Sequence, residues 1–189
     1  MKLFLFYTIF LFCFWQNAFC QKIVTQGKVI KIIDGDTFDL LLKDNSTIRI
    51  RMNGIDCPEK GQPYYKNAKQ GLAGFIFGKE VSIISTGKDR YKRTLADVYV
   101  GNDFINLKMI VAGFAWHFKK YSKNKTLAAA EVQAKSNNIG LWSLPSPVAP
   151  WDFRDAKKKK LLFNLSKTNW LSKNCSNISI MAFCRHPLW

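Results

Sequence analysis

Apolar and polar residues alternate with a period of two in several short segments of this chain. The clearest is Thr47–Met52, in which both isoleucines and Met52 share one face and the arginines occupy the other, so that Arg51 is expected to point into solvent. β-Branched residues and neighbouring turns such as Asp34-Gly35-Asp36 predict further strands. The five predicted strands are Gln26–Ile33, Thr37–Leu42, Thr47–Met52, Glu80–Ser85 and Leu95–Val100.

Three other segments have patterns typical of helices: Pro63–Phe77, Phe104–Ala112 and Thr126–Ser136. Gly78 and Gly113 stand where helices commonly end, although Gly71 and Gly74 weaken the first prediction. Five strands with helices after the third and the fifth predict an α+β fold. We expect a five-stranded β-barrel resembling the oligonucleotide-binding (OB) fold, with about three packed helices.

The N-terminal segment has the composition of a targeting sequence. Lys2, the apolar run Leu3–Trp15 and the small residues around Cys20 predict a signal peptide over residues 1–20 and a mature chain that begins at Gln21. The protein would then be secreted or periplasmic. An uncleaved membrane anchor is the alternative, although the run is shorter than the roughly 20 apolar residues of a transmembrane helix.

The composition changes again after the predicted domain, which we assign to residues 21–144. Three prolines between Pro145 and Pro150 predict an extended linker, and no period follows them, so residues 145–189 are predicted to be a basic extension of uncertain order. Trp151, Phe153 and the block Lys157–Lys160 either extend a nucleic-acid surface or form a solvated appendage. Cys175 and Cys184 are close enough in sequence to pair in an oxidising compartment.

The charge balance indicates a polyanionic partner. The chain has 29 Lys and Arg residues against 13 Asp and Glu, a formal net charge of +16, and the predicted signal peptide contains little of it. Such a surface attracts nucleic acid, and an anionic membrane or cell wall is the alternative partner. After signal removal we expect a monomer without stable membrane insertion.

Charged residues cluster at three strand ends or loops, where functional residues concentrate. The clusters are Asp34-Gly35-Asp36-Thr37, the segment from Arg51 to Glu59, and Asp89-Arg90-Tyr91-Lys92-Arg93. Phosphodiester hydrolysis needs an activated water, neutralisation of phosphate charge by bidentate arginines, and in many enzymes a hard cation held by carboxylates. Singly, each cluster would be an ordinary turn or a solvated surface.

Together the clusters resemble the staphylococcal nuclease (thermonuclease) family in order and spacing. The similar features are Asp-Gly-Asp-Thr, Arg51 followed by Ile-Asp-x-Pro-Glu, Asp-x-Tyr-x-Arg, Gly113-Phe114-Ala115-Trp116, Tyr121, and Gly140-Leu141-Trp142. The resemblance covers roughly Lys22 to Leu144. It implies a nuclease that cuts DNA, RNA or both and leaves a 3′-phosphate.

The resemblance also implies roles for individual residues. Asp36 and Asp56 correspond to carboxylate ligands of Ca²⁺, and Cys57 corresponds to a residue that supplies a backbone carbonyl to the same ion. Glu59 corresponds to the residue that positions or deprotonates the attacking water. Arg51 and Arg93 correspond to the two arginines that bind the phosphate. Tyr91 corresponds to a tyrosine beside the bound nucleotide, and Asp34 is a turn residue or supports the ligands.

Two departures from the family pattern accompany these similarities. Cys57 stands where a threonine is usual, which matters little if only the carbonyl binds the ion. Lys92 stands where a glycine is common, so the loop before Arg93 would require a lysine to adopt a positive φ or else move the arginine. Lys92 would also add phosphate affinity.

Other functions explain fewer of these sequence features. A catalytically silent nucleic-acid-binding module is the main alternative, but all five matching catalytic residues are present. A basic adhesion protein would explain the charge and the export but not these residues. His117 and His186 have no metal-ligand spacing, which disfavours a zinc hydrolase, and we expect His117 to be structural.

Overall fold

A computed structural model of the protein describes the backbone of residues 24–181 and the side chains of residues 24–166. The predicted signal peptide therefore lies outside the described residues. The same holds for Cys184 and for the side chain of Cys175, so their pairing stays a prediction. None of the described helices is both long enough and apolar enough to cross a membrane.

The centre of the protein is a closed β-barrel. The strands are β1 (Val24–Ile32), β2 (Thr37–Leu42), β3 (Thr47–Met52), β4 (Ile55–Asp56), β5 (Glu80–Lys88), β6 (Thr94–Val100), β7 (Asp103–Phe104) and β8 (Trp116–His117). The barrel order is β3-β2-β1-β5-β6 with antiparallel neighbours, and a parallel pairing of β3 with β6 closes it. The predicted OB-like, five-stranded barrel is confirmed. Strands β4 and β8 form a separate small sheet.

Apolar side chains from one face of each strand fill the interior of the barrel. In β2, Phe38 and Leu40 are completely buried, and in β3 the same is true of Ile50. Their outward neighbour Arg49 is exposed and pairs with Asp39 across the two strands, Nε to Oδ1 at 2.8 Å. The apolar face of each strand therefore provides the core, and the polar face carries the residues that can reach a ligand.

Strand β5 is longer than predicted. It continues through Lys88, whereas the predicted strand ends at Ser85 and the polar segment from Gly87 to Thr94 is typical of a loop. A register shift between Ser85 and Gly87 absorbs one residue, and Lys88 then pairs with Thr94 of β6. This extension reduces the connection between β5 and β6 to a tight turn, which carries Arg93.

Helices surround the barrel: α1 (Tyr65–Ile76), α2 (Ile105–Val111), α3 (Lys125–Ser136), a 3₁₀ turn (Gly140–Ser143) and α4 (Pro150–Met181). The first three match the predicted helices within a few residues. Gly71, which weakened the prediction of α1, lies against Phe114, and a Cβ at Gly71 would approach that ring to 2.4 Å. Glycine is therefore required there for close packing rather than for a turn.

The fourth helix begins inside the segment for which no period was found. Pro150 occupies its first position and Asp152 its first turn, two features that favour a helix start. Trp151 stacks on Phe118, with ring centroids 5.3 Å apart and an interplanar angle of 4°, and meets Trp116 edge-on at 5.7 Å. The start of α4 therefore packs on the barrel domain, whereas the side chains from Lys157 to Ser166 are exposed.

Candidate active site

The predicted site residues meet at one end of the barrel. Thr37, at the start of β2, pairs with Arg51 in β3, and the backbone N–H of Met52 donates to the carbonyl of Asp36 at 2.8 Å. Strand β4 follows β3 after a short turn and brings Asp56 to the same place. Strand pairing thus assembles residues that are far apart in sequence.

Arg51 is the centre of this arrangement. Its Nη1 donates to the carbonyl oxygens of Met52 and Ile55, each at 2.9 Å. Its Nη2 lies 3.0 Å from Oδ2 of Asp36 and 2.8 Å from Oδ1 of Asp56. The prediction that Arg51 points into solvent is wrong, because β4 and the β1–β2 turn cover this end of β3 and leave the side chain only 12% exposed.

The neighbouring carboxylates are buried close to one another. Burial, with the negative charge of Asp36, raises the pKa of Asp56, while hydrogen bonds from Arg154 and the charge of Arg51 oppose that rise. Burial and the charge of Asp36 also raise the pKa of Asp34 to about 7. The Asp34 carboxylate accepts the backbone N–H of Asp36 at 3.3 Å, so it is a turn residue beside the site. The charge of Asp36 thus acts on both neighbouring carboxyl groups, and Arg51 and Arg154 provide positive charge beside Asp56.

Asp36 and Asp56 suit a hard divalent cation. Both carboxylates approach the same nitrogen of Arg51, so two of their oxygens lie close together. Oxygen donors of this kind are the preferred ligands of Ca²⁺, which completes its shell with carbonyl and water oxygens. Within the part of the chain that the structure describes, no three His, Cys, Asp or Glu side chains cluster as a metal site. The pair therefore fits part of a ligand set.

The thiol of Cys57 is buried in the hydrophobic core, against Gly35 of the β1–β2 turn. Its Sγ would lie 3.0 Å from a Cβ added to Gly35, and the residue is buried. Burial raises the pKa of the thiol well above its usual value, and the charge of Asp36 adds to the effect. The backbone N–H of Cys57 donates to Oδ2 of Asp36 at 2.9 Å. It is therefore the backbone of Cys57 that adjoins the carboxylates, since a neutral thiol is a poor ligand.

Arg93 reaches the site from the turn between β5 and β6. Its Nε and Nη2 each lie 2.7 Å from Oδ2 of Asp89, which orients the guanidinium. Its Nη1 donates to the hydroxyl of Thr37 at 3.4 Å, and that hydroxyl donates to Oδ1 of Asp36 at 3.1 Å. One threonine thus links Arg93 to the carboxylate pair, with the arginine still partly exposed.

Tyr91 and Lys92 lie on the same turn and face solvent. The ring of Tyr91 is exposed and lies between two arginines, with its centroid 4.8 Å from Cζ of Arg90 and 5.6 Å from Cζ of Arg93. Lys92 has a φ of 63°, so the left-handed backbone expected at this position is present despite the lysine. The turn forms one side of a groove lined by Asp39, Thr47, Arg49, Tyr91, Lys92 and Arg93.

Glu59 lies beside Asp56 and is held by a residue that the sequence reasoning missed. Arg154, in the first turns of α4, contacts Oε1 of Glu59 through Nη1. The same guanidinium donates to Asp56, from Nη2 to Oδ2 at 2.7 Å and from Nη1 to Oδ1 at 3.3 Å. The helix-start features at Pro150 were the available signal, but no local pattern indicates where that helix docks.

His117 lies in β8 behind the site and is buried. Its backbone N–H donates to Oε1 of Glu131 at 3.1 Å, and its Nε2 lies 3.1 Å from the hydroxyl of Ser122. Burial lowers the pKa of the ring, although the charge of Glu131 acts in the opposite direction. Because Ile55 of β4 pairs with His117, these contacts help to hold the strand that carries Asp56.

Comparison with known proteins identifies relatives of the whole barrel. Residues 49–144 match the family model described as staphylococcal nuclease homologue. An uncharacterized endonuclease of Haemophilus influenzae is 37% identical over 157 residues, which cover 83% of this chain and 88% of the relative. A micrococcal nuclease of Shigella flexneri is 38% identical over 70% of this chain and 82% of its own. An uncharacterized endonuclease of Escherichia coli O157:H7 is 34% identical over 78% and 95%, respectively.

Proposed function

The chain belongs to the staphylococcal nuclease family, and from this membership we propose that it is a calcium-dependent endonuclease, exported from the cell, that leaves 3′-phosphate ends on DNA, RNA or both. It is a phosphodiester hydrolase, and its substrate is nucleic acid. The observation that carries the finer proposal is the single network that joins Asp36, Arg51 and Asp56, and reaches Arg93 through Thr37.

The proposed cation site consists of Asp36, Asp56 and the backbone carbonyl of Cys57. Bound there, Ca²⁺ would supply a Lewis acid that neutralises charge on the phosphate oxygens. The burial of both carboxylates and the raised pKa of Asp56 support this assignment, because a bound cation reduces the repulsion between two buried negative charges. The interior position of the Cys57 thiol supports backbone rather than sulfur ligation.

The proposed chemistry is attack of water on phosphorus. Glu59 takes a proton from the water as the water oxygen bonds to phosphorus. The bond from phosphorus to the 5′-oxygen breaks, its electron pair stays on the 5′-oxygen, and that oxygen takes a proton from solvent to become the 5′-hydroxyl, so the phosphate stays on the 3′ side. Arg51 and Arg93 bind the non-bridging oxygens, where charge increases most in the transition state. For Arg51 this requires Nη2 to exchange its contacts with Asp36 and Asp56 for the phosphate. Tyr91 and Lys92, on the exposed groove, bind the nucleotide and its phosphate.

Export and the monomeric state remain parts of the proposal. The composition of residues 1–20 supports a signal peptide, and the excess of basic residues in the rest of the chain suits an extracellular enzyme that captures polyanions. The proposed folded domain begins at Gln21, and the site described above lies entirely in the mature chain.

The decisive experiment is a cleavage assay with the chain from Gln21 on single-stranded DNA, double-stranded DNA and RNA. We expect cutting with Ca²⁺ and none with a chelator, and fragments whose 3′ ends accept polymerase extension only after phosphatase treatment. Glu59→Gln, which is nearly isosteric, serves as the control for contaminating nucleases. Cutting that survives chelation would contradict the calcium proposal, and fragments extended without phosphatase would contradict the proposed product.

A further inference from the structure

Arg154 contacts the site from beyond residue 144, where the region matched by the family model ends. Its guanidinium bonds both oxygens of Asp56 and one oxygen of Glu59. We propose that Arg154 is a positioning residue of the active site, which holds the carboxylates of Glu59 and Asp56 for the reaction. The inference rests on the proposed function, because it assigns a role relative to the proposed base.

The element that carries Arg154 is fixed in place. Ala149 is buried, and Trp151 stacks on Phe118 and meets Trp116 edge-on. A rigid helix start is the kind of support that sets a side chain to the precision a catalytic group needs. Arg154 is therefore delivered to the carboxylates by a packed element and not by a free tail.

The loop that carries Glu59 depends on the same segment. The backbone N–H of Glu59 donates to Oε1 of Gln62 at 2.7 Å, and Nε2 of Gln62 donates to the carbonyl of Val148 at 3.1 Å. The Glu59 backbone is thus tied to the chain just before α4, and its side chain is tied to Arg154 within α4. Two independent contacts connect the proposed base to the same helix start.

The geometry at Arg154 requires a guanidinium. The two terminal nitrogens of a guanidinium can bond both oxygens of Asp56 and still reach Glu59. The single ammonium of a lysine cannot span the two carboxylates in the same way. Glu59 is partly exposed, so without this contact its carboxylate would sample several rotamers. We infer that the contact restricts the proposed base to one orientation beside Asp56.

The test compares Arg154→Gln with Lys28→Gln, which removes the same charge from an exposed position on β1. We expect Arg154→Gln to lower kcat about 10- to 100-fold, the range for residues that orient catalytic groups, with KM changed less than about 2-fold. Calorimetric Ca²⁺ affinity without substrate should not weaken, because Asp36 and Asp56 remain and a nearby positive charge is lost. Lys28→Gln should match wild type in kcat.

Two further variants separate positioning from a loss of structure. Arg154→Lys keeps the charge and the helix, so it should fold like wild type and recover only part of kcat. Arg154→Ala leaves room beside Glu59, and added guanidinium or methylguanidinium should restore part of its kcat at concentrations that leave wild type unaffected. Such rescue is not expected if Arg154 only stabilises the helix.

Each alternative result identifies a different error. Unchanged kcat in Arg154→Gln would overturn the inference alone, as long as wild type cuts nucleic acid. A higher kcat together with tighter Ca²⁺ binding would also overturn it and would show that Arg154 inhibits metal binding and turnover. Parallel loss of kcat, Ca²⁺ affinity and Tm without guanidinium rescue would show a structural role instead. An inactive wild type would overturn the proposed function and this inference with it.

Discussion

Replacement of Arg51 by methionine should destabilise the protein far more than the same replacement at Arg93. Methionine keeps an unbranched chain of similar length but has no donors. In Arg51→Met, two carbonyl oxygens lose the donors on Nη1, and Asp36 and Asp56 lose their shared contact with Nη2. At Arg93 the main partner, Asp89, keeps the backbone N–H groups of residues 91 and 93 as donors.

Burial determines the difference in magnitude. Loss of one partner from a buried ion pair costs about 3–5 kcal/mol, because the remaining charge is left uncompensated. After Arg51→Met, Asp56 keeps its contacts with Arg154, whereas buried Asp36 keeps only the neutral donors of Thr37 and Cys57. We therefore expect the free energy of unfolding to fall by about 3 kcal/mol, out of a total of roughly 5–15 kcal/mol for a protein of this kind. Arg93 is partly exposed, and an exposed pair contributes about 1 kcal/mol or less.

Urea unfolding followed by far-ultraviolet circular dichroism measures this difference, provided that the slopes with denaturant are equal. Asp56→Asn provides the internal control. In that background Arg51 has one charged partner fewer, so Arg51→Met should cost less than in wild type, and the double-mutant cycle should show the coupling. A similar cycle between Arg93 and Asp56 should show little coupling.

Equal and small losses of stability in Arg51→Met and Arg93→Met would refute this reasoning, because they would mean that Arg51 is solvated as the strand pattern alone predicted. Activity is a separate measurement. Arg51→Lys and Arg93→Lys should each lower kcat by at least about 10²-fold, the scale for loss of one preorganised donor. Unchanged turnover in Arg93→Lys would instead assign the phosphate contact to Lys92 or Arg90.

Three further predictions concern the metal, the pH dependence and the export. Cys57→Ala should keep calcium-dependent activity, because the thiol that it removes is buried and neutral. Asp36→Asn should weaken Ca²⁺ binding and activity together. Calcium titrations that give the reverse for the two variants would refute the ligand assignment. Burial lowers the pKa of His117 in the folded protein below its value in the unfolded chain, so the unfolded chain binds more protons as the pH falls below about 6.5. Acidification therefore lowers the free energy of unfolding. Urea midpoints between pH 7.5 and 5.5 should fall more steeply for wild type than for His117→Gln. N-terminal sequencing of the exported protein should begin at Gln21, and an intact Met1 in a membrane fraction would contradict the predicted cleavage.

The strands were predicted well wherever one face is buried. Thr37–Leu42 and Thr47–Met52 have the predicted bounds. In Thr47–Met52 alternation explains them, because a shift of one residue would turn Ile50 away from the core. The end of β5 was not predicted, since its last residues are exposed on both faces and carry no apolar signal. Local patterns therefore located the barrel but not the extent of its exposed hairpin.

The environment of Arg51 could not be predicted from its own strand. Alternation correctly places it off the core face, but what covers that face is β4, the β1–β2 turn and the carboxylates that they carry. Those contacts depend on how the barrel closes and not on neighbouring residues in the sequence. The identity of the charged residues was therefore visible in the sequence, whereas their burial and their mutual pKa effects required the fold.

The boundary of the functional unit illustrates the same limit. The prolines after Leu144 predicted a linker, and the family match also ends there. Pro150, however, starts a helix whose first turns bury Trp151 against Phe118 and bring Arg154 to residues 98 and 95 positions earlier in the chain. A composition change marks where the barrel ends, but charge complementarity between Arg154 and two carboxylates extends the site beyond it. On the proposed role of Arg154, the chain that must be kept intact for catalysis is longer than the barrel.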